Sequence, residues 1–169
     1  PNLTDVGWKA PAANTLGSPN SDTSDGTKLL IADTSNQRVL IFNTIPTADD
    51  TSANFVIGQS DLTSTGINQG GGAFSSDANT LYFPHSVHYD TTANKLFIAD
   101  EYNHRILGYN TIPTANNASA NFVIGQADMI SNTLSSPPTS SSLSYPYDVH
   151  SDGTRLFVAD SGNNRVLIW

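Results

Sequence analysis

The sequence predicts an all-β chain of small four-stranded sheets, repeated in tandem and covered on both faces. Three observations carry that prediction: a long internal repeat, apolar runs of strand length, and the lack of helical periodicity. Thr44 to Ser64 reads TIPTADDTSANFVIGQSDLTS, and Thr111 to Ser131 reads TIPTANNASANFVIGQADMIS, with 15 of 21 positions identical at an offset of 67. Upstream of these, KLLIADTSNQRVLIF from Lys28, KLFIADEYNHRILGY from Lys95 and RLFVADSGNNRVLIW from Arg155 form a threefold series. A Leu-x-x-Pro element recurs at Leu16/Pro19, Leu81/Pro84 and Leu143/Pro146, each Pro six residues before Asp25, Asp90 or Asp152. A fixed period of this size marks a repeat architecture whose units bury their faces against one another.

Within each unit the order of elements follows from local chemistry. Strand a follows the Pro, as in Ser86-Val87-His88-Tyr89. Strand b is the apolar run Lys95 to Asp100, and a four-residue turn from Glu101 to His104 leads into strand c, Arg105 to Asn110. After a polar Ala/Asn/Ser loop comes strand d, Asn121 to Gln126. Val, Ile, Leu and Phe fill these runs and turn residues bound them. Strands b and d are apolar at consecutive positions, which a sheet wetted on one face would not tolerate. Such sheets in tandem, stacked about 10 Å apart around an axis, are the blades of a β-propeller.

The units divide the chain into the end of a preceding blade with a linker (1–16), blade 1 and its d–a loop (17–80), blade 2 and its d–a loop (81–142), and a partial blade 3 with strands a–c (143–169). In the first segment Val6-Gly7-Trp8 resembles Ile57-Gly58-Gln59 and Ile124-Gly125-Gln126, so residues 3–8 read as a strand d. The third unit stops at Trp169, at the end of strand c. A closed propeller needs roughly four to eight blades. The chain is therefore expected to be either an excerpt of a longer parent, whose remaining blades complete it, or a self-assembling homo-oligomer. In the second case strand completion would join Val6, Gly7 and Trp8 of one copy to Val166, Ile168 and Trp169 of another. The start at Pro1, without Met or a leader pattern, reads as a processed or partial form.

The pattern Pro-x-x-V-x-x-D followed by L-[FL]-[IV]-A-D-x-x-N-x-R-[IV]-L resembles the NHL repeat, and the resemblance covers nearly the whole chain after residue 16. It implies blades of NHL type. Three departures stand out: a period of 60 to 67, set by long Gly/Ser/Pro-rich d–a connections (Ser60 to Thr80 and Ala127 to Ser142); Asp22 where the other copies have Val87 and Val149; and the missing last strand. The Asp22 strand is expected to be distorted or to lie at an exposed edge.

Composition narrows the function classes. A net charge of −8, from 15 acidic and 7 basic residues, opposes binding of phosphate backbones or anionic lipid. Six of the basic residues occupy two repeat positions, Lys28/Lys95/Arg155 and Arg38/Arg105/Arg165, leaving only Lys9 outside the pattern and no cluster for a nucleic-acid face. No apolar run reaches the ~20 residues of a membrane helix, so membrane insertion is not expected. Cysteine is absent, which removes disulfides and thiolate metal sites.

The sets Asp33/Asn36/Arg38, Asp100/Asn103/Arg105 and Asp160/Asn163/Arg165 could be three charged sites. Their repetition in every unit makes them structural: Asp and Arg lie across a hairpin and can pair, while Asn suits the turn backbone. His88 and His150 share a position on strand a, the strand nearest the axis, and His85 lies close by. Axial imidazoles are candidate metal ligands, and the amidating lyase that is similar to NHL propellers implies a central metal site of this kind. Thr23 stands at the equivalent place in the first unit, and no carboxylate or Tyr recurs with matched spacing. The acidic turns Ser21–Gly26 and Ser151–Thr154 lack the D-x-D-x-D-G calcium ladder. Gly70-Gly71-Gly72 precedes no helix, so it reads as a flexible loop and not as a phosphate cradle.

The resulting expectation is a non-enzymatic scaffold without a cofactor, extracellular or at the cell surface, whose d–a loops bind a protein, peptide or glycan. Two alternatives stay open: a structural subunit assembling into rings or filaments, and a metal-dependent lyase or hydrolase on His88 and His150.

Overall fold

Eleven short strands alternate with tight turns in a computed structural model of the chain, which describes residues 9–169. The strand-completion segment Val6-Gly7-Trp8 lies outside the described residues. The first sheet holds β1 (Pro19–Ser24), β2 (Leu29–Asp33), β3 (Arg38–Phe42) and β4 (Phe55–Ile57), in that spatial order. The second holds β5 (Pro84–Asp90), β6 (Lys95–Asp100), β7 (Arg105–Tyr109) and β8 (Phe122–Ile124). The third holds β9 (Pro146–Ser151), β10 (Leu156–Asp160) and β11 (Arg165–Ile168). All neighbours in each sheet are antiparallel, as blade meanders require. The chain is all-β, with two four-stranded blade-type sheets, one three-stranded sheet and no closed ring among the described residues.

Consecutive apolar residues in the second strand serve two different interfaces. In β6, Leu96 and Ile98 face the first sheet and join Leu30, Ala32, Val39, Ile41 and Ile57 in one buried cluster. Phe97 and Ala99, on the other side of the same strand, meet Val149, Leu156 and Val158 of the third sheet. The second blade thus contributes one face to each of two interblade cores. A fully buried Leu or Ile contributes about 1.5–3 kcal/mol over an exposed one. The Leu of each Leu-x-x-Pro element closes a seam: Leu81 and Leu143 are buried in the first and second interblade cores.

Some sequence expectations need correction. β1 is no more distorted than its counterparts, since the register shift between Pro19 and Ser21 recurs between Pro84 and Ser86 in β5. The Pro that opens each strand lacks an N–H and breaks the ladder at the same place. The strand is nevertheless exposed along much of its length, which accommodates Asp22. The glycine-rich connection is not a loose loop. Residues Ile67–Gly70 form a short 3-10 stretch in which Asn68 N–H donates to Leu81 O, and the Asn68 amide donates to Gly72 O. Finally, β8 is half-buried along its whole length, where its counterpart β4 is mostly buried.

Candidate functional site

Strand b ends in Asp and strand c begins with Arg, and the register sets them opposite each other in all three sheets. Arg38 Nε donates to Asp33 Oδ2 at 2.6 Å, Arg105 to Asp100 at 2.7 Å and Arg165 to Asp160 at 2.7 Å. The turn asparagines join these pairs, which corrects their assignment to the turn backbone. The Nδ2 of Asn36 donates to Asp33 Oδ2 at 3.0 Å, that of Asn103 to Asp100 Oδ2 at 2.8 Å and that of Asn163 to Asp160 Oδ2 at 2.9 Å. The physical reason is the buried carboxylate, whose lone pairs must be met inside the blade. The three are not equally enclosed: Asn103 is fully buried, whereas Asn36 and Asn163 are half-buried.

The other carboxylate oxygen accepts from the backbone N–H of Gly17, Tyr82 or Ser144, the residue after the Leu of Leu-x-x-Pro. The outer guanidinium nitrogens then reach the long loops. Arg105 donates to the carbonyls of Asp77, Thr80 and Met129, and Arg38 to those of Ala12, Thr15 and Leu62. Each guanidinium nitrogen of Arg38 and Arg105 is thus aimed at the scaffold. Burial raises the Asp100 carboxyl from its ordinary value, while Arg105 and the Tyr82 N–H draw it down.

A second tie was not legible in the sequence. The last residue of each b–c turn, Gln37, His104 or Asn164, is left-handed. Gln37 Oε1 accepts from Phe83 N–H of the next blade at 2.7 Å, and His104 Nδ1 accepts from Tyr145 N–H at 3.2 Å. Phe83 and Tyr145 themselves have positive φ, 55° and 48°, which turns their N–H groups toward the neighbouring blade. Gln37 and His104 differ in type yet fill the same acceptor role, and the left-handed turn position is what they share.

His104 Nδ1 can accept only when unprotonated, and burial holds its pKa below the ordinary value. The unfolded chain therefore binds the proton more readily than the folded one. Stability from this contact is present above pH ~6.5 and is lost as pH falls below it. Burial also lowers His85 and His88, with the same sign. Replacing His104 with Gln, the acceptor type already used at Gln37, should flatten the slope of unfolding free energy between about pH 5 and 7. Denaturant titrations at several pH values measure it, and an unchanged slope would assign the dependence to the other histidines.

The inner strands bring two of the three candidate metal ligands, His88 and His150, together. The His88 and His150 rings lie 4.5 Å apart at 54°, and His85 stacks on Tyr147 at 3.5 Å. His88 Nε2 is 3.2 Å from Ser151 O and His85 Nδ1 is 3.1 Å from Tyr147 O. A carbonyl accepts only, so those nitrogens carry protons and are turned away from metal ligation. Among the described residues no three His, Cys, Asp or Glu side chains converge on a point that would hold a metal ion.

The d–a loops sit at the end of the blades that carries the b–c turns. They are fastened to each other: Ser76 Oγ donates to Ile130 O at 2.8 Å, and the Asn132 amide donates to Ala73 O at 2.7 Å. Asn68 and Asn103 exchange amide hydrogen bonds beneath them. Held in this way, the loops present Phe74, which is 93% exposed, with Ile130 and Leu134 also exposed. On the same end Tyr82, Phe83, Tyr102 and Tyr145 form a ring cluster with centroids 5.0–6.1 Å apart.

Residues 81–109 match the family model of the NHL repeat. A comparison with curated proteins returned no match. Among solved structures, a provisionally named exported protein of Bacteroides fragilis is similar at 14% identity and a TM-score of 0.39, covering 92% of this chain. The chain spans about half (51%) of that protein's length.

Proposed function

We propose that this chain, whose residues 81–109 match the NHL repeat, is a non-enzymatic scaffold whose loop end binds a protein or peptide partner outside the cell or at its surface. One observation carries the reading. The recurring Asp–Arg pairs are consumed in fastening strands and loops, whereas Phe74, Ile130 and Leu134 are held out into water by loops that are themselves hydrogen-bonded in place. An exposed large side chain on an ordered loop is what an interface anchor requires. Among the described residues no helix is long and apolar enough to cross a membrane. The Ser/Thr/Asn/Gly/Pro-rich loop composition accompanies the extracellular reading.

The reading predicts that the double replacement Phe74→Ser and Ile130→Ser abolishes capture of a partner from its native extracellular milieu while leaving the unfolding midpoint unchanged, because neither side chain packs in a core. Crosslinking from a photoreactive residue at position 74 identifies the partner. Capture undiminished by the double replacement would refute the loop end as the site.

A second reading, joining of further blades or copies along β11, rests on a specific contrast. Val166 is 64% exposed, whereas its counterparts Val39 and Ile106 are fully buried. Sedimentation of the chain at several concentrations tests it, and a concentration-independent mass of 18.0 kDa would remove the assembly version.

A further inference from the structure

The second unit carries aromatic and acidic residues at places where the other two units do without them. Directly after the Leu of Leu-x-x-Pro stand Gly17, Tyr82 and Ser144, and the b–c turns open with Thr34-Ser35, Glu101-Tyr102 and Ser161-Gly162. The first and third sheets form with glycine, serine or threonine at those places, so the repeat does not require Tyr82, Glu101 or Tyr102. Residues that the scaffold does not need are the ones available for recognition.

The backbone gathers these residues at one spot. Glu101 N–H donates to Phe83 O at 3.3 Å, and Tyr102 N–H donates to Tyr82 O at 3.1 Å. The Tyr102 ring lies 5.0 Å from Tyr82, 5.1 Å from Phe83 and 5.4 Å from Tyr145, and it is 40% exposed. Phe83 is tied to Gln37 of the first blade, and Tyr145 of the third unit is tied to His104. The cluster is therefore flanked by a blade on each side and open at the loop end. Its rings are set in place by backbone ties, which lowers the cost of binding.

Glu101 adds a charge without a counter-ion. Its side chain is half-buried, and among the described residues its carboxylate takes part in no hydrogen bond or ion pair. The equivalent residue of the first unit, Thr34, donates its hydroxyl to Pro84 O of the next blade at 2.7 Å. An ionised carboxylate only accepts, so Glu101 does not repeat that contact. Burial with no compensating partner raises its carboxyl from the ordinary value. A cation is what this group lacks, and the faces of neighbouring tyrosines attract one too. The chain uses the same attraction elsewhere, with Lys95 Nζ 5.6 Å over Phe122 and the Arg155 guanidinium 5.3 Å over Phe157.

We propose that Glu101, Tyr102 and Tyr82 form a binding site for an arginine side chain of the partner, its guanidinium paired with the Glu101 carboxylate and laid against the Tyr102 ring. The inference rests on the loop-end reading for the partner's being a protein or peptide, and adds which of its residues is recognised. Arginine suits the site better than lysine, because its planar, weakly hydrated fork stacks on a ring while meeting a carboxylate at two points. The net charge of −8 draws basic segments toward the chain.

The probe is N-acetyl-arginine amide, titrated into the full chain at low salt and followed by backbone amide shifts. Saturable shifts at Glu101, Tyr102 and Phe83 are expected, whereas the citrulline counterpart, similar in shape but neutral, should give none. Glu101→Gln should weaken binding about tenfold, the worth of one charge-assisted hydrogen bond. Tyr102→Ser installs the residue that the first unit already carries and should weaken binding about two- to fivefold. Absence of saturable shifts would overturn the site, as would an equal response to arginine and citrulline, or full affinity in Glu101→Gln. The loop-end reading fails separately: saturable arginine binding, together with partner capture undiminished by Phe74→Ser and Ile130→Ser, would keep this site and refute that face.

Discussion

Replacing Arg105 with Met should lower the stability of the chain by about 3–5 kcal/mol at pH 7, the range for removing one partner of a buried ion pair. At ~2–4 °C per kcal/mol for a domain of this size, the unfolding midpoint drops by roughly 6–20 °C. The reason is what remains behind. Asp100 and Arg105 are both fully buried, and Arg105 is the donor for the carbonyls of Asp77, Thr80 and Met129 as well as for the carboxylate. Met fills the volume of the stem but serves none of these acceptors. Without the guanidinium, burial dominates at Asp100 and pushes its carboxyl pKa further above the unfolded value. A carboxyl whose folded pKa is raised favours the folded state at low pH and costs stability as pH rises through the interval between the two values. The deficit of the Met variant should therefore shrink as pH falls from 7 toward 4. Two controls separate position from charge. Arg165→Met should cost less, because that side chain is 27% exposed and Thr139 and Ser142 are its two carbonyl partners. Arg155→Met removes a solvent-exposed pair and should leave the midpoint unmoved. Equal losses for Arg105 and Arg155 would show that the buried network does not hold the blades.

How much of this was legible beforehand depended on whether the signal was local. The pairing of Asp100 with Arg105 follows from a four-residue turn between two apolar runs, because a hairpin of that length places its flanking residues opposite one another. The turn asparagines Asn36, Asn103 and Asn163 were legible as positions but not as partners. Asn suits a turn backbone and a carboxylate equally well, and the burial of the Asp side chains decides for the carboxylate. The alternation of Leu96 and Ile98 against Phe97 and Ala99 was likewise readable as two covered faces, though not which blade each face would meet. The long reach of Arg105 was not readable. Its targets are backbone carbonyls in loops 24 to 28 residues away, and backbone carbonyls leave no trace in residue identity. The His104 contact was hidden for a different reason. Gln, His and Asn share only an acceptor and a left-handed turn, so a search for identical residues passes over them. The exposed loop face was anticipated as a region, Ser60 to Thr80 and Ala127 to Ser142, but the burial of Asn68 against Asn103 and the outward placement of Phe74 depend on loop-to-loop contacts.

The second large effect is expected at Gly58, where the identical stretch FVIGQ places a glycine just after the outer strand in both full repeats. Two separate requirements meet there. Its φ is +89°, a conformation that L side chains rarely adopt, and a Cβ would lie 2.5 Å from Leu81 Cδ1, inside the sealed interblade core. Strain alone is worth about 1–2 kcal/mol, and overpacking a filled core adds about 1–3 kcal/mol. Gly58→Ala should thus lose about 2–5 kcal/mol by denaturant unfolding, the sum of those two ranges. Gly26→Ala isolates the first contribution, since its φ is +91° but a Cβ there meets no atom within 4 Å. Adding Leu81→Ala to Gly58→Ala isolates the second. The double variant removes the two closest approaches, to Leu81 Cδ1 and Cγ, but keeps the strain and the 2.9 Å approach to Cβ, so its deficit should fall short of the sum of the two single losses. Strict additivity would mean that Gly58 and Leu81 do not touch. The glycine's role would then be conformational alone, and the seam between the first and second blades would have to be closed by other contacts.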